Sequence, residues 1–137
     1  MSSDELDLTP LERAVDRLRE GWARYQQDVA DTQIRDGLVQ RFEFTYEISH
    51  KMLKRFLETT SANPVEVDAM SFQDQIRSGN ERGLLRSDWP MWRQFRDMRI
   101  LSSSTDSDDA ALSVVNRIPD FLDEATYFGQ RLQEVRM

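Results

Sequence analysis

Apolar residues recur every three or four positions along most of the chain, the spacing of one face of an α-helix. The first such stretch covers residues 8–31. Thr9 is placed to cap it, Pro10 suits the first helical position and Glu12 completes a capping box. Gly21 weakens the helix slightly. The pattern predicts an amphipathic helix of about five turns, with an apolar stripe at Leu11, Val15, Leu18, Trp22, Tyr25 and Val29.

The next stretch, residues 34–60, is apolar over a wider part of its circumference. A helix of that kind is expected at the centre of a bundle, touching more than one neighbour. Its apolar positions form one line with a second beside it: Leu38, Phe42, Thr45, Ser49, Met52 and Phe56, widened by Val39, Tyr46, Leu53 and Leu57. Its polar positions are equally regular: Asp36, Gln40, Glu43, Glu47, Lys51 and Lys54.

Shorter segments complete the pattern. Residues 59–71 have the composition of a linker, and a short helix capped by Ser71 follows. Ser87 or Asp88 caps the next helix, and an amphipathic helix begins after Pro119. No strand-like alternation and no internal repeat is found. We therefore predict an all-α fold, an antiparallel up-and-down four-helix bundle with a short extra helix, in one domain over residues 1–137 with a flexible tail at 1–8.

Composition narrows the classes of function. The 137 residues are 39% hydrophobic and carry a net charge of −7, which argues against sequence-blind binding of a phosphate backbone over the whole surface. The absence of cysteine rules out disulfides and thiolate metal sites. No apolar run approaches the length of a membrane span. The acidic start lacks the basic segment followed by an apolar segment that is typical of a signal peptide. We expect a cytoplasmic protein.

Few residues offer catalytic chemistry. The sequence has no phosphate-binding glycine loop and no zinc or serine-hydrolase motif. His50 is the single histidine, and without partners it is interpreted as a packing or surface residue. Asp36, Glu43 and Glu47 lie along one side of the second helix and would suit acid–base work or a metal. Since lysines continue the same line, a solvated or partner-facing surface is favoured. No metal and no cofactor is expected.

Arginines form a more distinctive pattern. Arg93, Arg96 and Arg99 follow one another at intervals of three, giving a basic stripe in an acidic protein. Such a stripe suits phosphate binding, and it suits ion pairs with aspartates or with a neighbouring helix equally well. After it, residues 102–109 are rich in hydroxyls and carboxylates, as in a loop that ends in a helix cap. A serine nucleophile there would need a base, and none is evident.

The segment IRDGLVQRFEFTYEISHKMLKRFL resembles the signature helix of the nucleotidyltransferase substrate-binding proteins, a branch of the HEPN superfamily. Later segments, from SFQDQIRSGNERGLL to RIPDFLDEA, are similar in order and spacing, so the resemblance covers residues 10–135. His50 stands where the family usually has tryptophan. The matching positions are Arg35, Asp36, Gly37, Gln40, Arg41, Phe42, Glu43, Phe44, Thr45, Glu47, Lys51, Leu53 and Lys54.

The resemblance implies a four-helix bundle, a homodimer, and a complex with a minimal nucleotidyltransferase (MNT) encoded by the adjacent gene. In many such pairs the HEPN protein is a toxin, a metal-independent RNase, and its partner neutralises it, in some pairs by adding AMP to a tyrosine. The family motif is an arginine, four residues, a histidine, one residue and a tyrosine. Here Arg99 matches the arginine, whereas Ser104 and Asp106 replace the histidine and the tyrosine.

These replacements predict a disabled site. A serine hydroxyl cannot replace imidazole as the base, and general acid–base catalysis contributes ~10²–10⁴-fold. Asp106 removes the phenolic oxygen and repels phosphate, although Arg99 could still stabilise charge with help from Arg96. Natural loss of catalysis and deliberate alteration would both give this pattern. The candidate catalytic positions are Arg99, Ser104 and Asp106, and the candidate binding residues are Asp36, Arg41, Glu43, Glu47, Arg93 and Arg96.

Three hypotheses follow from the sequence. The first is a HEPN-type subunit that binds a minimal nucleotidyltransferase, with RNA as a further candidate ligand. The second is an active RNase with altered catalytic residues, in which Asp106 acts as base. The third is a helical scaffold with neither role.

Overall fold

A computed structural model describes residues 6–103 and 107–136, and the chain is helical along most of both ranges. No strand occurs in the part that is described. The predicted all-α bundle is confirmed, with short helices added to the four long ones. In chain order the helices are α1 (Thr9–Gln27), α2 (Thr32–Thr59), α3 (Pro64–Asp68), α4 (Phe72–Glu81), α5 (Trp89–Ser102), α6 (Asp108–Val115) and α7 (Ile118–Arg136).

Helices α1 and α2 run antiparallel in close contact. Thr45 Oγ1 donates to the carbonyl oxygen of Ala14 at 3.2 Å, and Arg41 Nη1 donates to that of Arg17 at 2.7 Å. Residue numbers thus rise along one helix as they fall along the other. Gly21, which the sequence suggested only as a weak point, is buried at this contact. A Cβ there would lie 3.0 Å from Arg41 Cδ, so the missing side chain permits the close approach.

Helix α7 packs on the other side of α1, also antiparallel. Arg19 Nη2 donates to Thr126 Oγ1 at 3.0 Å. About two turns nearer the start of α1, the Gln133 amide donates to the Glu12 carboxylate. The connection between α1 and α2 is short, residues 28–31, as expected for antiparallel neighbours.

Aromatic rings from α2, α5 and α7 fill the centre of the core. Phe121 packs edge-on against Phe42, with ring centroids 5.1 Å apart, and against Phe95 at 5.2 Å. Trp92 packs edge-on against Phe95 at 5.3 Å. Edge-to-face packing at such distances is favourable beyond the area it buries. All three helices are therefore fixed relative to one another around one cluster.

The predicted apolar stripes are largely confirmed. On α2 every predicted position is buried except Phe56, which is partly buried. On α1 the stripe is buried as far as Tyr25, apart from the partly buried Trp22. Val29 is 62% exposed because α1 ends at Gln27 and the residue lies in the turn beyond it. The prediction for Val29 is wrong.

The start of α1 differs from the prediction. Thr9 does not cap the helix with its side chain, and the cap position is Leu8. Asp7 supplies the acceptor instead, because its carboxylate receives the Thr9 backbone N–H at 3.0 Å. Leu6 and Leu8 are 7% and 1% exposed, so the predicted tail is wrong for these two residues. Residues 1–5 lie outside the described ranges.

The segment predicted as a linker contains α3, which buries Val67 against the core. Two predicted caps are confirmed. Ser71 accepts the backbone N–H of Asp74 at 3.1 Å, and Asp88 rather than Ser87 caps α5. Gly83 follows α4 at a φ of 76°, a left-handed conformation that glycine adopts without strain.

A buried carboxylate joins α7 to the connection that precedes α5. Glu124 is 1% exposed, and its Oε2 accepts the backbone N–H groups of Arg86 at 2.8 Å and Ser87 at 3.3 Å. Charge-assisted hydrogen bonds of this kind are stronger than neutral ones. They fix the chain one residue before the cap of α5, and so help to set where α5 begins.

No helix in the described ranges is both long enough and apolar enough to span a membrane.

Candidate functional site at Arg99

Arg99 lies in the last turn of α5, and its side chain reaches across to α2. Nη1 pairs with Glu43 Oε2 at 2.9 Å, Nε donates to Glu47 Oε1 at 3.2 Å, and Nη2 pairs with the same oxygen. The side chains of Arg99 and Glu43 are 26% and 24% exposed, and that of Glu47 is 58% exposed. We call these three residues the arginine cluster.

The arginine is also held from its own helix end. Nη1 donates to Ser103 Oγ at 2.9 Å, and Ser102 Oγ donates to the Arg99 carbonyl oxygen at 2.7 Å. The hydrogen bond to Glu47 raises the pKa of Arg99, with the charges of Glu43 and Glu47 acting in the same direction against burial. The guanidinium therefore stays charged and cannot serve as a base.

Only the arginine of the predicted catalytic set lies within the described residues. Ser104 and Asp106 fall in the gap between residues 103 and 107. On the far side of the gap, Ser107 Oγ accepts the Ala110 backbone N–H at 3.2 Å and begins α6. The sequence prediction of a helix cap at the end of this loop is therefore confirmed, and the roles of Ser104 and Asp106 stay predictions.

A cavity of 260 Å³ adjoins the arginine cluster between α2, the end of α5 and the start of α6. Arg35 joins α2 to α6, since its Nη2 lies 3.1 Å from Asp36 and 3.0 Å from Asp108. Both charged residues of the lining, Asp36 and Glu43, are acidic, and each is already paired with an arginine, Asp36 with Arg35 and Glu43 with Arg99. Its lining consists of Asp36, Val39, Gln40, Glu43, Leu101, Ser102, Ser107 and Ala111.

The remainder of the arginine stripe is only partly available. Arg96 lies over the Trp89 ring, 5.1 Å from its centroid, and 3.7 Å from the Asp97 carboxylate. Arg93 is exposed and forms no ion pair with any described residue. Of the two interpretations left open by the sequence, ion pairing applies to Arg96 and Arg99.

The predicted binding residues of α2 do not share one face. Glu43 and Glu47 join the arginine cluster, and Asp36 lines the adjoining cavity. Arg41 lies on the opposite side, where it hydrogen-bonds to α1. Sequence reasoning missed Arg35 as a link between α2 and α6. Its signal was its place in the family signature, but the partner Asp108 is remote in sequence.

His50 takes no part in a catalytic group within the described residues. Its ring is half-buried with its centroid 4.3 Å from that of Phe72. Burial lowers its pKa, Lys54 acts in the same direction, and Gln75 opposes them. The packing interpretation of His50 is confirmed. Nowhere in residues 6–103 and 107–136 do three histidine, aspartate or glutamate side chains gather as they would around a metal ion.

Comparison with known proteins identifies the class to which this fold belongs. The family model described as nucleotidyltransferase substrate binding protein like matches residues 6–134. The chain belongs to this family, as the signature in α2 predicted.

Individual relatives match over nearly the whole chain. The probable ribonuclease HepT of Haemophilus influenzae is 32% identical over 142 residues, covering 98% of this chain and 97% of the relative. The solved structure of HI0074 from the same organism superposes with a TM-score of 0.86 at 30% identity, covering 93% of this chain and 99% of that one. That structure is described as the fold of a substrate-binding domain of a nucleotidyltransferase.

Proposed function

We propose that this chain is the HEPN-type subunit of a toxin–antitoxin-like pair, that it binds a minimal nucleotidyltransferase, and that its own RNase site is disabled. One observation supports the proposal that the RNase site is disabled. The family arginine, Arg99, is held by Glu43 and Glu47, while the sequence places Ser104 and Asp106 where a base and a tyrosine would be needed. A cytoplasmic location belongs to the same proposal.

The chemistry of RNA cleavage supports a disabled site. Without a metal, a base must take the proton of the 2′-hydroxyl, and a cation must stabilise the negative charge on the phosphoryl oxygens of the transition state. Arg99 could supply the cation, but two carboxylates already occupy its donors. An RNA phosphate would have to displace them and would meet their repulsion. The cluster as a whole carries one negative charge more than positive.

Partner binding is supported by family membership and by the similar structure of HI0074, which is described as a substrate-binding domain of a nucleotidyltransferase. The proposed surface comprises the arginine cluster with Asp36 and the exposed parts of Arg93 and Arg96. Apolar side chains stand beside it, with Ile100 61% exposed and Leu101 37% exposed. We propose that these apolar residues are covered by a second copy in a homodimer.

Copurification tests the partnership. The tagged chain is coexpressed with the nucleotidyltransferase of the adjacent gene, and the two are expected to elute together from a sizing column. A Glu43→Lys/Glu47→Lys variant should weaken the complex, whereas Glu66→Lys, an exposed carboxylate on α3, should not. Elution of two separate proteins would contradict the proposal and favour a simple helical scaffold.

RNA cleavage tests the disabled site. The purified chain is assayed beside a Ser104→His/Asp106→Tyr variant and beside that variant with Arg99→Ala added. We expect cleavage only by the form with histidine, tyrosine and arginine all present. Equal cleavage by the chain as it stands, abolished by Arg99→Ala, would establish the second candidate function, an active RNase with altered catalytic residues. The name of the HepT relative, a probable ribonuclease, is the observation that favours that alternative.

A further inference from the structure

Three side chains on one face of α7 hold the connection between α4 and α5, residues 82–88. Arg131 Nε donates to the Gly83 carbonyl oxygen at 2.9 Å, and the Tyr127 hydroxyl donates to the same oxygen at 3.4 Å. Glu124, one turn nearer the start of α7 than Tyr127, accepts the last two backbone N–H groups before the cap residue of α5. The connection is thus held at both of its ends.

The Glu124 carboxylate is not explained by stability alone. The side chain is 1% exposed, and its second oxygen, Oε1, is buried with no donor among the described residues. The Arg86 guanidinium pairs with Asp123 at 3.8 Å rather than with Glu124. Arg86 is exposed and Ser87 is half-buried, so water could accept their backbone N–H groups instead. A buried, unpaired carboxylate oxygen costs free energy, and replacing a buried charge with an apolar side chain is often neutral or stabilising.

The hydrogen bonds of Glu124 restrict α5 in a way that ring packing does not. In the middle of α5, the ring of Phe95 packs on Phe121 of α7, with centroids 5.2 Å apart. Such apolar contacts set the separation of two helices, but they are not directional. Hydrogen bonds depend on both distance and angle. Glu124 follows Phe121 by one turn, and its two bonds therefore resist sliding and rotation of α5 about its own axis.

We propose that Glu124 is a positioning residue for the arginine cluster, because it sets the register in which Arg99 meets the carboxylates of α2. Arg99 lies ten residues after Trp89, the first residue of α5, or about 15 Å along the helix axis. An α-helix turns by about 100° per residue, so a start displaced by one residue would direct Arg99 away from α2. The inference rests on the arginine cluster being the candidate site of the proposed function.

Nuclear magnetic resonance of the full chain tests the register directly. The observable is solvent exchange of the Arg99 Nε–H, which donates to Glu47 in the wild type; Arg99→Gln identifies its signal. In Glu124→Leu, which removes both acceptor oxygens, we expect this exchange to be about tenfold faster. Glu124→Gln keeps an oxygen for the two backbone N–H groups and should keep the slow exchange of the wild type.

A matched control releases the other end of the same connection. Tyr127→Phe/Arg131→Met removes the two hydrogen bonds to Gly83, as many as Glu124→Leu removes, but leaves the start of α5 held. Exchange at Arg99 should stay within about twofold of the wild-type rate, because the released end is remote from the cluster. If Glu124→Leu does not fold, Glu124→Asp takes its place. Its carboxylate is one methylene shorter, and an intermediate rate is expected.

The inference is wrong if Arg99 exchanges equally slowly in the wild type and in Glu124→Leu, or in Glu124→Asp in its place. Equally fast exchange in the control, or in Glu124→Gln, would overturn it too. So would rapid exchange in the wild type, since the cluster would then hold nothing that needs positioning. The measurement involves neither the nucleotidyltransferase nor RNA, so its failure is distinguishable from a failure of copurification or of the cleavage assay.

Discussion

At the scale of single residues, the arginine cluster shows how one cation can be both fixed and neutralised. Arg99 is about three-quarters buried and meets carboxylates on two turns of α2. The pair with Glu43, in which both side chains are about three-quarters buried, contributes more than a surface pair but must offset the loss of hydration, whereas Glu47 is mostly exposed. The contacts of Arg99 join the end of α5 to α2, at the position that the sequence analysis proposed for the site.

Removing the guanidinium should therefore destabilise the fold modestly. Arg99→Ala leaves Glu43 and Glu47 facing each other without a cation, and we expect a loss of about 1 kcal/mol in the free energy of unfolding. Urea denaturation measures it. Arg93→Ala is the matched control, since Arg93 lies on the same helix and forms no ion pair with a described residue; its change should stay within about 0.5 kcal/mol. Equal losses in both variants would mean that the ion pairs contribute nothing.

His50 makes the stability of the fold depend on pH. Because burial lowers its pKa below the ordinary value, the unfolded chain binds a proton at a higher pH than the folded chain does. Stability is fully present above the unfolded pKa of about 6.5 and falls as the pH drops toward the lowered folded value. Urea denaturation at several pH values should show this loss below pH 6.5. In His50→Phe, which keeps a ring against Phe72, that part of the pH dependence should disappear; an unchanged profile would assign it to other groups.

At the scale of helices, the starts of α1 and α2 differ in whether the local sequence determines the residue that caps the helix. Asp31 accepts the backbone N–H groups of Gln33 at 2.9 Å and Ile34 at 3.2 Å, which is a full side-chain cap for α2. Thr9, which has the better cap sequence with Pro10 behind it, makes no such contact. Burial of Leu8 extends the ordered chain upstream, and Asp7 then becomes the nearest acceptor.

Exchanging these two residues for alanine tests that difference. Asp31→Ala should lower the free energy of unfolding by about 1 kcal/mol, the usual cost of losing a helix cap. Thr9→Ala should change it by less than about 0.5 kcal/mol, because the Thr9 side chain caps nothing. Thermal or urea denaturation of both variants supplies the comparison. A larger loss at Thr9 would mean that the capping box suggested by Glu12 forms after all.

Much of the bundle could be predicted from the sequence because its information is local. The buried residues of α2 recur every three or four positions, a spacing that is visible in the sequence. Ser71 and Asp88 cap their helices as predicted. Helix α3 was missed because its five residues are too few to show a period. The arginine cluster could not be predicted as a pairing. Arg99 and Glu47 were both candidates, but they are 52 positions apart, and only the register between α5 and α2 brings them together.

At the scale of the whole molecule, charge and apolar surface are unevenly distributed. The arginine cluster and the cavity beside it lie where α2, α5 and α6 meet, whereas Arg17 and Arg41 line a hollow on the α1 side of α2. Ile100 and Leu101 are exposed beside the arginine cluster. Exposed apolar residues next to a polar cluster are typical of a surface that another protein covers.

The proposed homodimer can be tested on that surface. Sedimentation equilibrium of the wild type should give a dimer, and Ile100→Glu should shift the equilibrium toward monomer by at least tenfold, because a charge would be buried without a partner. Val65→Glu on α3 is the control; Val65 is 71% exposed but lies away from the arginine cluster. A monomeric wild type, or equal dissociation by both variants, would contradict the proposed interface.

The aromatic cluster at the centre of the bundle gives the protein an intrinsic optical reporter. Trp92 is 1% exposed and surrounded by rings, and its indole N–H has no acceptor among the described residues. Trp22 and Trp89 are only partly buried at the edge of the core. An indole in such dry surroundings emits at shorter wavelength than one in water. In a Trp22→Phe/Trp89→Phe background, a red shift in the emission would thus signal the separation of α2, α5 and α7 without a label.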